Sequence, residues 1–182
     1  MSANSPIRES PATRVFQPLL GQPCWGVQPG LGSFLTLEFG RPSLVIREPV
    51  ESHASSARLR RHFARRLVYP RGQWHLWIYC CDWQVRKGGR VVGDSSTRRR
   101  VEASARALDG QRLVNVSLAR RGAVTRFAFD LGAVLETRPY NRRGGQWMLF
   151  MPDRKVLTLR ADRRYTLHRA DCPPSKAKWR AA

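Results

Sequence analysis

Acidic residues and lysine are scarce in this chain. Thirteen Asp and Glu stand against 33 Lys and Arg, a formal charge of +20, and only Lys87, Lys155, Lys176 and Lys178 are lysines, leaving 29 arginines. Few carboxylates remain for chemistry. Asp82, Asp130, Glu38 and Glu48 are expected at strand ends or turns, and none forms a pair that spacing alone would bring into one cleft, as glycoside hydrolysis needs. Cysteine is sparse too. Cys24, Cys80, Cys81 and Cys172 include no C-x-x-C spacing, which removes the common structural zinc site. Four cysteines in 182 residues do not make a disulfide framework, so reduced, buried thiols are expected, as in a cytoplasmic protein. His53, His62, His75 and His168 form no pair at metal-ligand spacing. No apolar run approaches the ~18 residues of a membrane helix, and the polar first residues contain no secretory signal. No P-loop, dinucleotide fingerprint, nucleophile elbow, zinc-protease or kinase signature occurs. No metal, no cofactor and no membrane association are therefore expected.

What the chain does have is arginine. Its planar fork pairs with phosphates and carboxylates and stacks on rings, so a surface of this kind attracts polyanions. Arginine is spread along the whole chain, however, and dispersed charge also serves plain solubility. The densest clusters are Arg58, Arg60, Arg61, Arg65 and Arg66, followed by Arg98, Arg99 and Arg100.

The other dense stretch runs from Gln73 to Trp83 and holds Trp74, His75, Trp77, Tyr79, Cys80, Cys81 and Trp83. Aromatic and β-branched residues without a helix break predict a strand from about Trp74 to Val85, buried on both faces. Period-two alternation puts His75, Trp77, Tyr79 and Trp83 on one face, which is either core or an open surface or pocket. His75 and Cys81 would lie roughly 20 Å apart along such a strand, too far to act as a nucleophile pair within it.

Alternating apolar residues predict further strands. Ser33–Phe39 and Leu44–Glu48 read as a hairpin across a Gly40–Ser43 turn. Val91–Val92, Leu113–Leu118, Val124–Phe129, Ala133–Thr137, and the hairpin of Trp147–Met151 with Val156–Arg160 follow, with Tyr165–Leu167 as a last edge. Gly21–Gly32, rich in Gly and Pro, reads as a loop. Ser96–Leu108 is the best helix, with Val101, Ala105 and Leu108 in a stripe and Asp109-Gly110 as its stop. These elements predict an α+β fold, mostly antiparallel sheet with one main helix between two strand groups. The expected organisation is a disordered tail over 1–18, a single domain over 19–170 with a basic insert or loop at 51–66, and a basic disordered tail over 171–182.

The segments Leu37–Pro49, Trp74–Trp83, Leu108–Leu113 and Phe127–Gly132 resemble segments of small uncharacterised bacterial proteins, a domain family of unknown function. The likeness covers roughly residues 21 to 165. Its motifs are turns and alternating apolar residues, and it implies no activity. Core-forming patterns abound and catalytic ones are missing. The leading expectation is a non-catalytic protein-interaction module, an accessory or immunity-like partner of another bacterial protein. The alternative is a nucleic-acid binder using the eight clustered arginines. The third is a thiol-dependent enzyme built on Cys24 or Cys81.

Overall fold

The computed structural model describes residues 10–119, 123–173 and 177–182. Two antiparallel sheets pack face to face. One has seven strands in the order β1-β2-β3-β9-β10-β11-β12, formed by Cys24–Pro29, Leu35–Arg47, Leu67–Ile78, Gly145–Phe150, Lys155–Arg160, Arg164–Arg169 and Arg180–Ala181. The other has five in the order β5-β4-β8-β7-β6, formed by Arg90–Asp94, Asp82–Lys87, Ala133–Arg138, Thr125–Phe129 and Leu113–Leu118. Every named strand pair is antiparallel, and with the helices this is the α+β architecture that the strand pattern predicts. Helix α1 spans Pro11–Arg14, α2 Ala57–Phe63 and α3 Arg98–Leu108. No helix among the described residues is long and apolar enough to cross a membrane.

Alternation explains the core. Leu35, Leu37, Phe39, Leu76, Ile78, Trp147, Leu149, Leu157 and Leu159 project from the large sheet onto Val85, Phe127, Phe129 and Leu135 of the small one, and all are buried. Trp147 sits between the sheets, where its indole N–H donates to Thr125 Oγ1 at 3.0 Å. Helix α3 lies against β1 and β5, burying Val101, Ala105 and Leu108. Its cap is Thr97, whose hydroxyl accepts from the Arg100 N–H.

Both expected tails depart from disorder where they are described. Ser10 caps α1, and Phe16 packs edge-on against Phe127 and Trp147 at 5.6 and 5.4 Å. Burying a phenylalanine contributes roughly 1.5–3 kcal/mol, enough to hold a segment whose Pro and Ser content signals disorder. Residues 1–9 of that tail lie outside the described residues. At the other end, Arg180 and Ala181 pair with Tyr165 and Arg164.

Three strand boundaries also differ. The Gly21–Gly32 loop contains β1, whose Cys24 pairs with Phe39 of β2. The expected hairpin over 33–48 is a single strand, β2, because Gly40 at φ +77° makes a bulge rather than a turn. The Trp74–Val85 strand is two strands in different sheets, broken where Cys80 adopts φ +48°.

Candidate functional site

Strands β2 and β3 pair along their whole length, from Leu35–Ile78 to Arg47–Leu67. Among the described residues, only their proximal halves have outer strand neighbours: β1 covers β2 as far as Phe39, and β9 covers β3 from His75 onward. Beyond the bulge the hairpin is a two-stranded ribbon carrying α2 and its flanking loops between Arg47 and Leu67. Core-facing alternation continues into this ribbon with no core to meet. Pro42, Leu44, Ile46, Val68 and Pro70 therefore line one side of it, with Leu44 74%, Ile46 60% and Val68 58% exposed. On the opposite side the Arg47 guanidinium lies over the Phe63 ring at 5.0 Å and donates to the His62 carbonyl, which seats α2 on the ribbon. The segment 51–66 is thus partly helical rather than a loop: Leu59 and Phe63, four apart, supply its inward stripe.

The base of the ribbon is fixed by Glu38. This carboxylate is 8% exposed. One oxygen accepts the Gly72 N–H at 2.9 Å, and the other lies 2.6 Å from His75 Nδ1. Gly72 must be glycine, because a Cβ there would sit 2.5 Å from the Phe39 carbonyl oxygen.

The structure separates the eight clustered arginines by role. Arg60 donates to the Ala54 and Ser55 carbonyls, and Arg66 pairs with Glu48. Arg98 pairs with Glu102 and donates to the Gly30 carbonyl, while Arg100 pairs with Asp94. Arg58, Arg61, Arg65 and Arg99 are exposed and make no hydrogen bond or ion pair with a described residue. The two clusters, about forty positions apart, come together in part. Arg58 of α2 and Arg98 of α3 line one cleft of about 1260 Å³, together with His62, the 29–33 loop and Ser95–Thr97.

His75, Trp77 and Tyr79 share the outer face of the large sheet, opposite the core. Trp77 and Tyr79 stack at 5.2 Å with Phe34 edge-on to both. His75 contacts Phe150 at 5.5 Å, over which the Arg71 guanidinium sits at 5.3 Å. Each is half-buried by its neighbours. Trp83 is not part of this face. The turn at Cys80 sends it into the small sheet, where it is 3% exposed and donates its indole N–H to the Ser33 carbonyl at 2.8 Å.

Cys24 and Cys81 are buried, and each donates to a carbonyl, Leu108 and Gln146 respectively. Burial, helped by Asp109 for the first and Asp82 for the second, pushes both thiols up to about 12. A thiol held that high carries almost no thiolate at neutral pH, and the thiolate is the nucleophile. Among the described residues no group of three or more His, Cys, Asp or Glu could hold a metal ion.

No protein-family model matches the chain, and neither a curated protein nor a solved structure is similar to it.

Proposed function

We propose that this protein is a non-catalytic interaction module that grips a protein partner with the β2–β3 ribbon, in an accessory or immunity-like role. One observation carries the reading: the exposed apolar side of the ribbon, Pro42, Leu44, Ile46, Val68 and Pro70. Contiguous apolar surface rimmed by polar groups marks protein interaction sites. The rim here is basic, with eight arginines against two glutamates between positions 41 and 72, so the matching surface is apolar with an acidic border. The two buried thiols held protonated, Cys24 and Cys81, fit both a binding role and a cytoplasmic setting.

A second reading, polyanion or nucleic-acid binding, is favoured by the cleft shared by Arg58 and Arg98. Three arginines occupy the first turn of α3, which has no acidic residue. Cations there oppose the helix dipole, and an anion bound in the cleft would relieve that opposition.

The two readings separate in one experiment. Tagged wild-type protein and the Leu44→Ser/Ile46→Ser variant are used to capture ligands from lysate at about 0.3 M salt, where phosphate contacts are weakened by counterion competition. The interaction reading expects a stoichiometric acidic protein bound by the wild type and lost from the variant. Recovery of nucleic acid by both proteins alike would overturn it in favour of the second reading.

A further inference from the structure

Between the outer face of the large sheet and the segment that carries β12 lies a separate pocket of about 470 Å³. That is within the size range of small-molecule sites. Its floor holds Thr158 and Thr166, which face each other across β10 and β11. They are 6% and 2% exposed. Neither hydroxyl makes a hydrogen bond with a described residue, and both residues line the pocket. Neither hydroxyl oxygen is sealed from solvent, so each keeps a donor and an acceptor open to the cavity. Side by side and opening into one cavity, they are donors and acceptors arranged for something that enters it.

The walls are flat and apolar. Phe150, Met148, Tyr79 and Trp179 line the pocket. Trp179 is held by the Arg160 guanidinium, 4.4 Å from its ring centroid. Arg160 is held in turn by a bidentate pair with Asp162. Tyr79 is set by Gly145, since a Cβ at that position would meet the Tyr79 hydroxyl at 2.0 Å. Among the described residues, the polar lining includes one unpaired cation and a histidine. The exposed Arg143 guanidinium makes no hydrogen bond or ion pair with a described residue. His168, also in the lining, has Nδ1 2.8 Å from the Arg169 carbonyl, so that nitrogen donates and, in the neutral ring, Nε2 is an acceptor. No carboxylate lines the pocket among the described residues.

Aromatic side chains, two open hydroxyls and the Arg143 guanidinium define the ligand class. We propose that this pocket binds a planar heteroaromatic ring bearing an anionic group, a free mononucleotide in size and chemistry. The ring stacks between Tyr79 and Trp179. Its polar edge meets Thr158 and Thr166, and the phosphate meets Arg143.

Calorimetric titration of the full chain with AMP and UMP, beside adenosine and inorganic phosphate, tests this. At least one nucleotide is expected to bind at or below about 1 mM, with adenosine and phosphate each at least tenfold weaker. Thr158→Val/Thr166→Val keeps the shape of the floor and removes both hydroxyls, and should weaken nucleotide binding at least tenfold. Trp179→Ala alters only the wall and should weaken it to a similar degree, while thermal melts report whether each variant stays folded. Equal affinity for phosphate and nucleotide would reduce the effect to the charge of the surface and overturn the proposal. So would a folded Thr158→Val/Thr166→Val variant that binds within twofold of wild type.

Discussion

Glu136 illustrates how this arginine-rich chain treats its few acids. It is 5% exposed and accepts from both Arg126 and Arg138. Burial acts to raise its pKa, but the two guanidiniums outweigh burial and hold the carboxyl below its ordinary value. A carboxylate lowered by folding contributes stability that is fully present above its unfolded value, about 4.3. That stability is lost as pH falls through the lower folded value. Glu136→Gln should therefore shrink the fall in Tm between about pH 5 and pH 3 relative to wild type, as read by thermal melts. An acid slope identical to wild type would show that Glu136 is not a source of acid sensitivity. Glu38 shows where residue-level legibility stops. Its position on the outer face follows from alternation, but its contact with His75 depends on which strand is its neighbour. Reading 33–48 as a hairpin pairs Glu38 with the wrong strand and leaves His75 without a partner.

At the scale of elements, alternation located most of the strands and the helix stripe located α3, because both signals are local. The errors cluster where one residue type serves two geometries. Gly40, Pro42 and Ser43 have the composition of a turn, yet they continue β2 through a bulge. Pro42 and Pro70 are tolerated because, among the described residues, neither ribbon strand has an outer neighbour there. Cys80 turns the chain with a positive φ that no composition rule assigns to cysteine. The bulge rests on Gly72, whose Cβ position is blocked by the Phe39 backbone at 2.5 and 2.8 Å. Gly72→Ala should cost about 1–3 kcal/mol, as other insertions into filled space do, seen as a lower urea midpoint with little change in slope. A midpoint equal to wild type would mean that the ribbon adjusts freely at its base. The outer face of the large sheet was legible as a question and not as an answer. Periodicity grouped His75, Trp77 and Tyr79, but the threonines of β10 and β11 and the tryptophan of the C-terminal segment join that face only through tertiary pairing.

At the scale of the whole molecule, the thiols report on packing. Cys24 and Cys81 are buried, whereas Cys80 and Cys172 are partly exposed. A thiol-reactive dye should label two cysteines readily in the folded protein and all four after unfolding. Rapid labelling of all four in the folded state would reopen the thiol-enzyme reading. β3 borders β9, so His75 waits for Phe150, while β4 to β8 close the small sheet from chain already made. At about 5–20 residues per second, ribosomes need roughly 4–15 s to cover that interval. For those seconds the growing chain presents the edge of β3, with its tryptophans, unpaired. An open apolar edge is a template for pairing with other chains. The arginines at the tip of the same hairpin then have a use before any partner is met: charge of one sign beside a vulnerable edge keeps nascent copies of the protein apart.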